Sequence, residues 1–268
     1  MRRLPRSPLA AALLLGLIAL AGPAVVQDPL AQPDVLGGAL QSPSARHWLG
    51  TDQFSRDVLA RLVTGARTSL GIAVLAVAIA AALGIGIGLL AGATRGLLGA
   101  MLRRVIDLAL GLPRIIVLLV LVAALGTVDA VLLATLLGVT GWPAIARLVR
   151  GETRRLRHAD WVLASQAVGA SPWRIYVRGI LPGTLPPVLV AAALGLSDAI
   201  LVEAGLSFLG LGVRPPTPSW GGMILEGRDH LVTAPWLVLA PSAALVITAL
   251  TATLLGDALR RHLQPESR

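Results

Sequence analysis

The sequence predicts an all-α, polytopic membrane protein with about six transmembrane helices. Of its 268 residues, 55% are apolar, and the mean hydropathy is +0.78, well above that of a soluble domain. A helix needs about 20 apolar residues to cross a bilayer, and long charge-free windows recur along the chain. They are 7–27, 68–94, 115–128, 130–146, 179–197 and 231–256. The windows at 115–128 and 130–146 need flanking residues to complete a span.

The arginines predict the orientation of these helices. All 23 basic residues are arginine, and 16 of them fall in cytosolic segments if the N-terminus is cytosolic. This distribution follows the positive-inside rule. It accounts for the net charge of +9 without nucleic-acid binding. We therefore expect a multi-pass protein of the plasma (inner) membrane, in contact with lipid, with both termini in the cytosol.

Missing residue types exclude several kinds of chemistry. A chain without lysine has neither an ordinary Walker A phosphate loop nor a Schiff-base amine. A chain without cysteine has no disulfide and no thiolate metal site. The four histidines are scattered, with no zinc-protease motif. We expect no catalysis, no metal site and no cofactor in this chain.

We divide the chain into residues 1–68, a five-helix domain at 69–258 and a cytosolic tail at 259–268. The first part begins with a basic and apolar stretch that also fits a signal peptide cleaved before Gly22. We favour a retained helix because the apolar run continues to Val26. An amphipathic helix capped by Ser55 should then lie at the membrane interface before the second span.

The second and third spans contain contrasting residues. Small residues recur every four positions in the second span, which favours close helix packing over a pore lining; they are Ala76, Ala80, Gly84, Gly88 and Gly92. The third, at about 104–127, has Asp107 and Arg114 on one face and a kink at Pro113. Charges at such depths face protein or water. We prefer a structural ion pair and keep a substrate contact as the alternative.

The remaining spans are expected at about 128–147, from Thr184 onward, and from Pro235 to about Asp257. Asp198 and Glu203 lie in the fifth span, about 140° apart around the helix, so they do not form one site. Each of these two residues is expected either to line a water-filled path or to make an interhelical contact. Residues 205–222 form a turn-rich loop.

A polar connector at 147–183 separates the fourth and fifth spans, and seven arginines lie within it. Asp160 is expected to cap a short helix that Gly169 ends in a left-handed conformation. Ser171 and Pro172 then start another helix. So many local helix signals within one connector indicate a docking element.

Three blocks resemble the inner-membrane permeases of ABC importers in the dipeptide, oligopeptide and nickel family. The first is His47–Asp52 with Ser55–Leu62 and Gly65–Leu70, the second is the connector, and the third is Glu203–Gly212 with Pro215, Pro216 and Pro218–Gly221. The chain departs from the family pattern in the connector. Leu163-Ala164-Ser165 replaces Glu-Ala-Ala, Gly179 replaces a histidine, and Gly183 replaces an asparagine.

The resemblance implies a type I ABC importer permease fold and a set of partners. This chain would pair with a second permease subunit and with two ATP-binding subunits that hold ATP and Mg. An extracytoplasmic substrate-binding protein would deliver the substrate, with peptides as the leading class. Nickel or another small solute, a stand-alone secondary transporter or channel, and an intramembrane hydrolase remain as alternatives.

The resemblance implies two sets of site residues, and the charges within the spans give a third. The ATPase-coupling set is Asp160, Trp161, Ala164, Val168, Gly169, Ala170, Ser171, Ile175, Leu181 and Pro182. The external face is Gly50, Thr51, Asp52, Arg56, Asp57, Pro215, Pro216 and Trp220. The intramembrane polar residues, candidates for the translocation path, are Asp107, Arg114, Asp198 and Glu203.

Overall fold

The computed structural model describes residues 6–26, 28–32, 34 and 37–263, and within these ranges the regular structure is helical. The α-helices are α1 (Arg6–Val25), α2 (Val58–Ala93), α3 (Gly96–Gly111), α4 (Arg114–Leu125), α5 (Ala130–Leu156), α6 (Asp160–Ala167), α7 (Pro172–Ile175), α8 (Leu181–Phe208), α9 (Trp220–Gly227) and α10 (Trp236–Leu263). A π-helical turn, Tyr176–Ile180, joins α7 to α8, and a 3₁₀ turn, Arg228–His230, follows α9.

Five of these helical segments are long and apolar enough to cross a membrane. They are 8–25 within α1, α2, α5, the continuous run 172–208, and α10. The pair α3 and α4 passes the same test together, although the two helices meet at a bend of 83°. Counting this pair as one span gives six, so the predicted all-α polytopic class is confirmed.

The main helix contact joins α2 to α5 through the predicted stripe of small residues. All five stripe residues of α2 are buried. A Cβ on Gly88 would lie 2.7 Å from the carbonyl oxygen of Ala146 and 2.7 Å from Cβ of Val149. Gly138 of α5 reciprocates, since a Cβ there would lie 2.6 Å from Cβ of Ile79. The two backbones therefore approach more closely than larger residues allow, and the predicted packing role is confirmed.

The start of α2 differs from the prediction. The amphipathic segment and the second span form one continuous helix of 36 residues, instead of an interfacial helix followed by a turn. Asp57 caps it, accepting a hydrogen bond of 2.8 Å from the backbone N–H of Ala60. The predicted Ser55 cap is wrong because Ser55 adopts a positive φ of 62°. Its hydroxyl instead donates to the carbonyl oxygen of Asp34 at 2.5 Å.

The predicted kink at Pro113 is a full break. Leu112 and Pro113 both adopt extended backbone, so α3 ends at Gly111 and α4 begins at Arg114. Three other helices are longer than predicted: α5 continues to Leu156, α8 already begins at Leu181, and α10 reaches Leu263. Hydropathy marks where a span leaves lipid, whereas the helix itself continues through residues that water solvates.

The α2–α5 contact predicts unequal effects for two glycines of α2. We expect Gly88→Ala to lower stability by about 1–3 kcal/mol, the usual cost of overpacking, because its methyl group meets backbone. Gly86→Ala is the matched control, since a Cβ there meets nothing within 4 Å. The measurement is the apparent melting temperature of the protein in detergent. Equal melting temperatures for the two variants would contradict this account of the contact.

Candidate functional site

The connector folds locally much as its residues predict. Gly169 has a φ of +80°, which confirms the left-handed end of α6. Ser171 caps α7 by accepting from the N–H of Arg174 at 3.4 Å, and Pro172 occupies the first turn. The predicted Asp160 cap is wrong, because Ala159 holds the cap position and Asp160 is the first helical residue. The negative charge of Asp160 still stabilises the N-terminus of α6.

An apolar base holds the connector against the helix bundle. Val162 of α6 is buried together with Ile175 and Ile180. The Nη1 of Arg157 donates to the carbonyl oxygen of Gly92 at 3.0 Å, which ties the connector to the end of α2. These contacts fix the position of α6 relative to the spans.

The connector also exposes four large apolar side chains. Their exposed fractions are 41% for Trp161, 54% for Leu163, 86% for Val168 and 77% for Trp173. We call these four residues the connector apolar face. Sequence reasoning included Trp161 and Val168 but missed Leu163 and Trp173. Apolar residues clustered in such an Arg-rich, otherwise polar segment were the available signal.

The rest of the predicted coupling set is mostly at the surface. Asp160, Ala164, Gly169, Ser171 and Pro182 are exposed, Ala170 and Leu181 are half-buried, and Ile175 is buried in the apolar base. Ile175 therefore supports the surface from below and is not part of it.

The structure separates the four predicted intramembrane polar residues into three places. Arg114 forms an ion pair with Asp198 of α8. Asp107 pairs instead with Arg147 of α5 at 3.1 Å, with both side chains more than half exposed. Asp107 and Arg114 do not share a face as predicted, because the break at Pro113 turns Arg114 away from α3.

Arg114 and Asp198 line a cavity of about 180 Å³ that has α2, α4, α5 and α8 as its walls. The other lining residues are apolar: Ala76, Val77, Ala80, Leu137, Gly141, Ala144, Ile145, Ala191, Ala192, Gly195 and Ala199. We call this the Arg114 cavity. Its two charges face each other between apolar walls.

Glu203 lies apart from that cavity in a buried polar cluster. Its side chain is fully buried, and the hydroxyl of Ser207 donates to Oε1 at 2.8 Å. Ser69 of α2 and Ser219 before α9 also face the carboxyl group. The N–H of Trp220 donates to Ser69 at 3.1 Å. Of the two roles considered for Glu203, this arrangement corresponds to the interhelical contact.

Buried ion pairs connect the segment before α2 to α9. Oδ2 of Asp52 lies 2.6 Å from Nε of Arg56 and 2.6 Å from Nη1 of Arg61. Both arginines also contact Oε2 of Glu226, at 2.9 and 2.8 Å. We call these four residues the α9 ion-pair network. Sequence reasoning missed Arg61 and Glu226, because nothing local links residues so far apart.

Most residues predicted for the external face are not at the surface, and two of them, Asp52 and Arg56, belong to this network. Gly50, Thr51, Asp52, Arg56 and Trp220 are buried, Asp57 is half-buried, and Pro215 and Pro216 are exposed. Asp57 pairs with Nδ1 of His47 at 2.8 Å. Pro215 and Pro216 can therefore contact a partner directly, whereas the buried residues only support the surface. The docking role stays a prediction.

The fold defines a multi-pass helical membrane protein with a polar connector between two of its spans, and comparison with known proteins specifies the family. The family model "Binding-protein-dependent transport system inner membrane component" matches residues 84–268. The dipeptide transport system permease protein DppC of Alkalihalophilus pseudofirmus is 37% identical over 253 residues, covering 94% of this chain and 82% of that protein. The glutathione transport system permease protein GsiD of Escherichia coli O157:H7 is 39% identical over 225 residues, covering 84% and 74%.

The chain belongs to the family of binding-protein-dependent transport system inner-membrane components. It is therefore a permease subunit of an ABC importer, located in the membrane as a multi-pass protein. The resemblance read from the three sequence blocks is confirmed.

The α9 ion-pair network predicts a large effect of one neutral substitution. Asp52→Asn leaves two buried guanidinium groups sharing Glu226 alone, and removal of one member of a buried pair costs about 3–5 kcal/mol. We expect a clear fall in the apparent melting temperature in detergent. The control is Asp229→Asn, which breaks the exposed 3.4 Å pair with Arg228 and should leave the melting temperature unchanged. Similar melting temperatures for both variants would show that the network does not stabilise the fold.

Proposed function

We propose that this permease imports peptides in complex with a second permease subunit, two ATP-binding subunits and an extracytoplasmic substrate-binding protein. ATP and Mg belong to the ATP-binding subunits in this proposal, and the chain itself performs no catalysis. The absence of lysine from the sequence supports this division, since an ordinary Walker A loop requires one.

The observation that carries the proposal is the connector apolar face. Val168 and Trp173 are 86% and 77% exposed within an Arg-rich segment. Exposed apolar clusters of this kind mark protein contact surfaces. Docking of α6 on an ATP-binding subunit would transmit ATP-driven closure through the apolar base to the adjoining spans α5 and α8. These helices, with α4, border the Arg114 cavity, so their rocking would alternate access to it.

Peptides are the preferred substrate class because of the relatives. DppC is named for dipeptides and GsiD for glutathione, itself a small peptide. Nickel is a weaker candidate for this chain, as its described residues contain no group of three or more potential metal ligands. The substrate-binding protein would dock on the surface around Pro215 and Pro216.

The docking proposal predicts that acidic substitutions on the connector apolar face uncouple transport. In Leu163→Asp with Val168→Asp, two carboxylates would lose water in an apolar interface, at a cost of several kcal/mol. We expect at least about a tenfold loss of ATP-driven uptake, because 1.4 kcal/mol already changes an equilibrium tenfold. The measurements are uptake in proteoliposomes and co-purification of the ATP-binding subunits. Trp161 is left intact because it packs on Gly179.

Val232→Asp is the matched control for this double variant. Val232 is 97% exposed and lies between α9 and α10, remote in sequence from the connector. It should retain full co-purification with the ATP-binding subunits. Normal uptake and co-purification of the double variant would refute docking through α6.

The proposed orientation predicts opposite labelling of two positions. The chain lacks cysteine, so each single-cysteine variant has one reactive thiol. We expect a membrane-impermeant maleimide to label Val232→Cys in intact spheroplasts, because that loop faces outward. Arg95→Cys, at an exposed position between α2 and α3 and outside the docking surface, should be labelled only after permeabilisation. The reverse pattern would invert the proposed topology, with the connector outside and without access to ATP-binding subunits.

A further inference from the structure

We infer that Arg114 and Asp198 form a binding site for the two charged termini of a peptide, an inference that rests on the peptide import proposed above. In this site the guanidinium group of Arg114 receives the peptide carboxylate, and the carboxylate of Asp198 receives the peptide ammonium group. Among the described residues that line the Arg114 cavity, these two are the charged ones.

The surroundings of Arg114 hold its guanidinium group towards the cavity. Nη2 donates to the carbonyl oxygen of Leu137 at 2.9 Å, and Nε donates to the hydroxyl of Thr140 at 3.4 Å. Gly141 leaves room for the group, since a Cβ there would lie 3.2 Å from Nη2. Helix α5 thus orients the guanidinium group, while Nη1 faces Asp198.

The pair is accessible, unlike the α9 ion-pair network. The side chain of Arg114 is 30% exposed and that of Asp198 is 57% exposed. The corresponding values for Arg61 and Asp52 in the network are 4% and 1%. A closed network stabilises the fold, whereas an accessible pair in a cavity wall is free to exchange partners with a solute.

Charge balance selects the chemical class of that solute. An unpaired charge in an apolar membrane environment is costly. A peptide with free termini supplies one positive and one negative group, so both protein charges stay paired when it inserts between them. A solute with a single charge leaves either Arg114 or Asp198 without a partner. The pair therefore favours zwitterions over neutral or singly charged molecules.

The position of Arg114 in the fold allows such an insertion. Arg114 is the first residue of α4, directly after the 83° bend, and Asp198 lies on α8. A change in the bend moves the guanidinium group relative to α8 and changes the separation of the two charges. Ion-pair opening and peptide entry are then linked to the same helix movement.

Peptides with one blocked terminus test this site. The probes are Ala-Ala, Ala-Ala amide and N-acetyl-Ala-Ala, and saturation-transfer NMR measures their Kd on the permease–ATPase complex in nanodiscs without the binding protein. For Arg114→Gln we expect Ala-Ala to bind about tenfold more weakly, since its carboxylate loses a charge-assisted hydrogen bond. The Kd of the amide, which lacks the carboxylate, should not rise, because Arg114→Gln removes the guanidinium group that the amide leaves unpaired. For Asp198→Asn, the Kd of N-acetyl-Ala-Ala should not rise, because that peptide lacks the ammonium group that Asp198 would receive.

Arg147→Gln is the matched control, because it breaks the exposed pair with Asp107 outside the cavity and should alter no Kd. Equal weakening of all three peptides by Arg114→Gln would overturn the inference and make the pair a structural contact. Failure of the unmodified complex to bind Ala-Ala would also overturn it. ATP-driven uptake of Ala-Ala in proteoliposomes with the binding protein tests peptide import separately, and its absence would refute the proposed function.

Discussion

The close contact between α2 and α5 is the constraint on which the other sites depend. Small residues let the two backbones touch, and both helices then extend beyond the contact to carry functional groups. At its start, α2 supplies Arg61 to the α9 ion-pair network. At its end, the carbonyl oxygen of Gly92 accepts from Arg157 of the connector. Helix α5 provides the carbonyl oxygen of Leu137 that orients Arg114. Displacing one helix would therefore disturb all three places together.

The charged groups divide into two physical kinds. In the α9 ion-pair network, Asp52, Arg56 and Arg61 are almost fully enclosed and Glu226 is partly exposed, and each arginine contacts two carboxylates. Desolvated charges of this kind tolerate little movement, so α9 and the start of α2 form one rigid unit. Arg114 and Asp198 instead lie in a cavity wall beside the α3–α4 break. In the proposal made above, the charges of the network hold the fold, and the Arg114–Asp198 pair opens where the peptide would enter.

Sequence periodicity and turn chemistry predicted the local features of this fold. The four-residue spacing of Ala76 to Gly92 identified the packed face of α2, and Gly169 and Ser171 marked the ends within the connector. Contacts between distant residues were not predictable. Arg61 and Glu226 are 165 positions apart, and the partner of Arg114 lies 84 positions away. A single proline turned α4 away from α3, so the shared face predicted for Asp107 and Arg114 did not form.

In the connector, the two glycines that depart from the family pattern are packed against large apolar side chains. Gly179 stands where the family usually has a histidine, and a Cβ there would lie 2.5 Å from the indole ring of Trp161. A Cβ on Gly183 would lie 2.8 Å from Cδ1 of Leu156. Each glycine thus makes room for a large apolar side chain from the preceding helices. Polar side chains at these positions would displace Trp161 and Leu156, and α6 with them. The orientation of the connector apolar face therefore depends on apolar packing against two glycines.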